Sequence, residues 1–143
     1  MDSDTLVPVT ARTPEPFVRA HVAAALRRVR AADPRRSPVV VAKSLGSYAA
    51  TLVAEWGLPA VWLTPVLTDD TVVRAIAASS APALLIGGTA DRLWILEAAR
   101  ATGKQTLTIP EGTHSLRVPG ALRRYAEVLA TVGTAVEDFL DAL

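Results

Sequence analysis

The sequence predicts an α/β fold in which a mostly parallel sheet of about five strands lies between layers of helices, a three-layer arrangement. Short apolar runs alternate with longer helical patterns, the runs are bounded by Pro or Gly, and half of the residues are hydrophobic. Such alternation is typical of successive strand–helix–strand crossovers, and parallel strands covered on both faces need continuous apolar runs. The length of 143 residues fits a single domain.

The predicted elements follow one another in a regular order. Runs that are too short for a buried helix and rich in β-branched residues are predicted as strands: residues 6–9, 39–41, 60–63, 83–86 and 106–109. Segments with apolar residues at helical spacing are predicted as helices: residues 15–32, 45–56, 69–79, 92–102 and 119–142. In the first helix, Arg19, Arg27 and Arg30 lie away from the apolar face, and we expect them to be solvated.

The composition excludes several classes of function. Basic and acidic side chains number 15 and 14, so no overall charge favours nucleic acid or an acidic membrane surface. Without cysteine and with only two histidines, the chain offers no disulfide scaffold, thiolate chemistry or metal cluster of those residues. We expect no cofactor and no metal. The acidic start and the lack of a long apolar run predict a cytoplasmic protein without a membrane span.

Ser44 lies where a predicted strand meets a predicted helix, in the run Ala42-Lys43-Ser44-Leu45-Gly46. A nucleophile elbow requires this context, because a sharp strand-to-helix turn lifts the serine hydroxyl clear of the backbone. The small residues Ala42 and Gly46 let the strand and the helix pass closely, and the Leu45 N–H would face a forming oxyanion. A serine at a helix start can equally be only an N-cap, so the run alone leaves both interpretations open.

Two later segments place an acid and a histidine just beyond predicted strands. Asp91 follows the strand at residues 83–86, and His114 follows the strand at residues 106–109. The order along the chain is therefore Ser, Asp, His, with each residue at the carboxyl end of its own strand. The intervening Gly87-Gly88 pair has neither a Gly-x-Gly-x-x-Gly pattern nor a following Walker lysine, so nucleotide binding is weakly supported.

From residue 38 onward, this arrangement resembles the α/β-hydrolase superfamily, in the form of a small lidless serine hydrolase or acyltransferase with a shortened N-terminal half. The resemblance implies that Ser44 is the nucleophile, His114 the base and Asp91 the acid that orients the imidazole. It implies attack on an ester, thioester or amide carbonyl by an esterase, thioesterase or acyltransferase. Because no lid domain is inserted, we expect a small-molecule acyl substrate or a bulky one bound to a carrier protein.

Each member of this site has a structural alternative. Asp91 can be the N-cap of the helix that follows it, and His114 can be a surface loop residue. Asp69 and Asp70 are alternative acids, because some α/β-hydrolases carry the acid after that earlier strand. Glu111 lies so close to His114 along the chain that its carboxylate would need an awkward turn to reach Nδ1.

Lys43 and Trp94 are also candidates for the substrate-binding site. The Lys43 ammonium would project over the mouth of the site or into solvent. Trp94 lies off the main packing direction of its predicted helix, which is consistent with a partner surface or a pocket wall, although it can equally belong to the core.

The departure from the family lies upstream of Ser44, where the usual glycine-rich oxyanion loop does not occur. We expect the strand at residues 6–9 to pair beside the strand at residues 39–41, which precedes Ser44. Thr10 or Ala11 would then donate the second N–H to the oxyanion. A shortened sheet leaves an exposed edge, which predicts a homodimer. Two alternatives remain open: a catalytically inactive hydrolase-like protein that binds a ligand or partner, and a subunit that gains its second donor from another chain.

Overall fold

Helices and strands alternate along the chain in the computed structural model, which describes residues 14–143. The elements are, in order, α1 (Pro14–Ala32), β1 (Val40–Lys43), a 3₁₀ segment (Ser44–Ala49), α2 (Ala50–Trp56), β2 (Ala60–Leu63), α3 (Asp70–Ala78), β3 (Ala83–Gly88), α4 (Leu96–Ala101), β4 (Gln105–Ile109) and α5 (Leu122–Asp141).

The strands form a single sheet in the order β1-β2-β3-β4, and every pairing is parallel. The predicted α/β class with a parallel sheet is confirmed. Within the described residues the sheet has four strands rather than about five. The strand predicted at residues 6–9 lies outside the described residues. Because all four strands run the same way, their carboxyl ends share one edge of the sheet, which is where ligands bind in folds of this kind.

The sheet is covered on both faces, as its continuous apolar strands require. One face packs against the helices from α1 to α4 around Trp62, Ile76 and Leu85. The opposite face packs against α5 around Ile86 and Phe139. All six residues of β3 are buried, because this strand lies between two neighbours and under both helical layers. Within residues 14–143, no helix combines the length and the apolarity needed to cross a membrane.

Three helix starts differ from those predicted, because local hydrogen bonds and backbone angles override the apolar pattern. The segment after β1 begins as a 3₁₀ helix and becomes α-helical only at Ala50. Helix α4 begins at Leu96 rather than at residue 92, because Asp91 binds two following backbone N–H groups in a turn. Helix α5 begins at Leu122 rather than at residue 119, after Gly120 with a φ of 103°.

The arginines of α1 do not all lie in solvent. Arg19 binds the Glu55 carboxylate at 2.5 Å, and the Arg30 guanidinium lies 4.2 Å from the centre of the Trp56 ring. Glu15 also accepts a hydrogen bond from Thr51 at 2.8 Å. The expectation of solvated side chains is therefore wrong for Arg19, which is only partly exposed, whereas Arg27 and Arg30 are exposed as expected. These contacts attach α1 to the helix that follows β1.

Candidate active site

Three side chains from separate strand ends meet at the carboxyl edge of the sheet. Nε2 of His114 lies 2.8 Å from Oγ of Ser44, and Nδ1 lies 2.8 Å from Oδ2 of Asp91. Both distances are in the normal range for hydrogen bonds. Ser44 follows β1, Asp91 follows β3 and His114 follows β4. The parallel sheet therefore brings together residues that are 70 and 23 positions apart along the chain.

The backbone of Ser44 adopts a conformation that serine rarely occupies. Its φ of 51° lies in the left-handed region, where a non-glycine residue pays a conformational cost of about 1–3 kcal/mol. The turn brings Gly46 so close to β1 that a Cβ on Gly46 would lie only 3.0 Å from Cβ of Ala42. Small residues are therefore needed at Ala42 and Gly46, where the sequence predicts that the strand and the helix pass closely. The Ser44 hydroxyl bonds to His114, and Lys43 occupies the N-cap position.

Asp91 is buried and bonded on both carboxylate oxygens. Its side chain is 2% exposed, whereas that of His114 is 39% exposed. Oδ1 accepts a hydrogen bond from the Leu93 N–H at 2.9 Å, and Oδ2 faces Nδ1 of His114. If Nδ1–H donates to the carboxylate, Nε2 is left as the acceptor for the Ser44 hydroxyl. Asp91 is not the N-cap of α4, because that helix begins five residues later.

The loop that carries His114 packs directly against the end of β3. The Ala90 N–H donates to the Gly112 carbonyl at 2.9 Å, and any Cβ on Gly88 would overlap the Gly112 backbone. Glu111 and Leu116, which flank His114, both have a φ of 58°. Two glycines and two left-handed residues thus fix the loop. Sequence reasoning considered Gly88 only as part of a phosphate loop and missed this packing role.

Lys43 forms a second attachment for the histidine loop. Its Nζ donates a hydrogen bond to the backbone carbonyl of His114 at 3.0 Å. Lys43 is exposed, and its ammonium group is bonded to the backbone of this loop. The residue before Ser44 and the residue that carries the imidazole are therefore connected directly.

Ser47 supports the turn at Ser44, and sequence reasoning missed this role. Its buried hydroxyl donates to the Ser44 carbonyl at 2.7 Å and accepts from the Val66 N–H at 3.0 Å. These two bonds connect the turn at Ser44 with the loop after β2. The position of a second hydroxyl three residues after Ser44 was the available signal, because residues at that spacing share one face of a helical turn.

Two of the alternative acids are engaged elsewhere. Asp69 is the N-cap of α3, where its carboxylate accepts hydrogen bonds from the Thr71 N–H and the Tyr48 hydroxyl, both at 2.9 Å. The backbone bond from Thr71, with help from Tyr48, holds the pKa of Asp69 below its usual value, and burial raises the pKa of Tyr48. Glu111 forms an ion pair with Arg124 at 3.1 Å.

The remaining candidates occupy different environments. Trp94 is 6% exposed and packs so closely on Gly87 that a Cβ there would overlap its ring. This burial favours the core interpretation of Trp94 over a partner surface. The Leu45 side chain is exposed, as expected for a residue that would contribute only its backbone N–H. Thr10 and Ala11 lie outside the described residues.

An open pocket of about 500 Å³ adjoins the imidazole. It is lined by residues that follow β2 and β3, together with the histidine: Thr68, Ala90, Asp91, Arg92, Leu93 and His114. A reacting carbonyl group next to Ser44 could therefore extend one of its substituents into this space.

No family model matches the sequence, and comparison with curated proteins finds no significant match. The functional argument therefore depends on the geometry and chemistry of the site.

Proposed function

We propose that this chain is an α/β-hydrolase-type enzyme that hydrolyses or transfers acyl groups through a covalent intermediate on Ser44. The observation that carries the proposal is the continuous series of hydrogen bonds from Ser44 through His114 to Asp91, at 2.8 Å for each step. A serine hydroxyl is a weak nucleophile at neutral pH, and an adjacent imidazole held by a carboxylate is a recurrent means of activating it.

The proposed reaction proceeds in two halves. Oγ of Ser44 attacks the carbonyl carbon of an ester or thioester while Nε2 of His114 accepts the hydroxyl proton. The tetrahedral intermediate then collapses, and Nε2 returns the proton to the departing alcohol or thiol. Water or another hydroxyl next attacks the acyl–serine bond, with the imidazole accepting and returning a proton again. Asp91 orients the imidazole throughout and stabilises the transient imidazolium.

The developing oxyanion needs hydrogen-bond donors at this edge of the sheet. The Leu45 N–H directly follows the nucleophile and is one proposed donor. Thr10 or Ala11 is proposed to supply the second. Loss of one such donor reduces the turnover of acyl-transfer enzymes by about 10²–10³-fold.

Substrate size is proposed from the connections between elements. Few residues separate β2 from α3, and the pocket beside His114 is open. Among residues 14–143, no lid is inserted between β2 and α3, so a small ester or an acyl group attached to a carrier protein could reach Ser44 from this side. A homodimer remains part of the proposal, because β1 is paired on one side only within residues 14–143.

Turnover of 4-nitrophenyl butyrate tests the proposal. We expect Ser44→Ala to abolish hydrolysis, and Asp91→Asn to lower kcat by about 10⁴-fold because the imidazole loses its orienting acceptor. Ser80→Ala, at an exposed serine away from the site, is the matched control and should retain wild-type turnover. Wild-type rates in Ser44→Ala would overturn the proposal, and a wild type that binds ligands but never turns over would favour the non-catalytic alternative.

A further inference from the structure

The pocket beside His114 carries a cation that the proposed acyl transfer does not use. Asp91 and Arg92 are the charged residues that line it besides the titratable His114. The Asp91 carboxylate is buried and turned toward the imidazole and the Leu93 N–H, so it presents little charge to the pocket. Arg92 is exposed, and within residues 14–143 no carboxylate forms an ion pair with it.

Arg92 is the cation among the residues that line the pocket. The exposed Lys43 ammonium donates a hydrogen bond to the His114 backbone carbonyl. Glu111 pairs with Arg124, and Asp69 accepts two hydrogen bonds at the start of α3, whereas Asp70 and Glu97 are exposed and form no ion pair within residues 14–143. The attraction available to an anionic ligand in this pocket therefore comes from Arg92.

We propose that this pocket binds the free carboxylate of an acyl group derived from a dicarboxylic acid, with Arg92 as the residue that recognises it. The inference rests on the proposed function of Ser44. A guanidinium presents parallel N–H donors that match a carboxylate, and the Thr68 hydroxyl offers a further donor in the same pocket. Leu93 and Ala90 supply apolar contacts for the carbon chain between the two carboxyl groups.

Two esters that share the same acyl chain and leaving group but differ in charge test this specificity. We expect a higher kcat/KM for 4-nitrophenyl hydrogen adipate, which has a free carboxylate, than for its neutral methyl ester. The Arg92→Gln variant should lower the ratio of the two kcat/KM values by about two- to fivefold, as expected for an ion pair with an exposed arginine. Arg92→Lys should restore part of the ratio. Arg100→Gln, at an exposed arginine on α4, is the matched control and should leave the ratio unchanged.

Three results of this experiment would contradict the proposed recognition of a carboxylate. Equal kcat/KM values for the two esters, or a ratio that Arg92→Gln does not change, would overturn the proposal. A preference confined to esters whose negative charge is on the leaving group, such as 4-(hexanoyloxy)benzoate, would also overturn it.

A binding measurement separates this inference from the proposed function. Monomethyl adipate and dimethyl adipate can be titrated into the Ser44→Ala protein, whose binding of a carboxylate does not depend on turnover. Tighter binding of the anionic compound that is lost in Ser44→Ala/Arg92→Gln supports the pocket even if the wild type hydrolyses nothing. Equal binding of the two compounds overturns the inference even if Ser44 is a nucleophile.

Discussion

At the scale of single residues, Ser47 connects the turn at Ser44 to the loop after β2. Ser47→Ala removes the acceptor of the Val66 N–H and the donor to the Ser44 carbonyl. We expect the free energy of unfolding to fall by about 1–3 kcal/mol, because partly buried backbone groups lose their partners. Urea denaturation measures this change. Ser80→Ala, at an exposed serine, should stay within about 0.5 kcal/mol of the wild type, and an equal effect of both variants would contradict the role of Ser47.

The sequence predicted the three residues that meet, but not the contacts that hold them. Ser44, Asp91 and His114 could be selected because each follows a predicted strand, and a parallel sheet brings such ends together. The contact between Gly88 and Gly112 and the bond from Lys43 to the His114 carbonyl depend on the exact path of two loops, which residue patterns do not encode.

At the scale of elements, Asp69 stabilises the start of α3. Its carboxylate accepts the Thr71 N–H, and Tyr48 donates to the same side chain. We expect Asp69→Ala to lower the free energy of unfolding at pH 7 by about 1 kcal/mol, as is typical for the loss of an N-cap. Urea denaturation checks the value. Asp70→Ala, at the exposed neighbour, is the control, and equal losses in the two variants would argue against capping by Asp69.

The contribution of the Asp69 charge should depend on pH in a defined direction. The pKa of Asp69 is lowered below its ordinary value of 3.8 in the folded protein, chiefly by the Thr71 backbone bond. Its stabilising effect is therefore fully present above pH 3.8 and is lost as the pH falls through the lowered pKa. The difference in unfolding free energy between the wild type and Asp69→Asn should shrink on going from pH 7 to pH 3. A difference that grows over this range would contradict the assignment.

The strands were easier to predict from sequence than the helix boundaries. Residues 60–63 coincide with β2, and residues 83–86 fall within β3, because a buried parallel strand needs an uninterrupted apolar run. The start of α4 was missed because Asp91 binds the backbone in a turn, and the start of α5 because Gly120 interrupts the helical pattern. Both effects are local and do not alter the apolar periodicity that the prediction used.

At the scale of the whole molecule, the free edge of β1 bears on the proposed chemistry. The Val40 N–H donates toward β2, so the N–H groups of Val39 and Val41 point away from the described strands. The Val41 side chain is 56% exposed. An apolar groove between α1 and β1 runs along this edge and reaches Gly46, two residues beyond Ser44. A strand paired here would end near Ser44, and the predicted strand at residues 6–9 and the predicted homodimer are two ways to cover the edge.

Proline substitutions test whether the N-terminal segment supplies the second oxyanion donor. Thr10→Pro and Ala11→Pro each remove one backbone N–H while leaving residues 14–143 unchanged. We expect one of them to lower kcat by about 10²–10³-fold with little change in KM, because the donor acts mainly in the transition state. Thr10→Ala and Ala11→Ser keep the N–H and serve as matched controls. Full activity in both proline variants would exclude this segment as the donor.

Covalent labelling tests the central claim, that His114 activates Ser44 as a nucleophile, most directly. The wild type and the Ser44→Ala and His114→Ala variants would be incubated with a fluorophosphonate, which reacts with activated serines, and analysed by intact-protein mass spectrometry. We predict a single adduct on the wild type that maps to Ser44, no adduct on Ser44→Ala, and strongly slowed labelling of His114→Ala. Equal labelling of Ser44→Ala, or a folded wild type that is not labelled, would contradict the account.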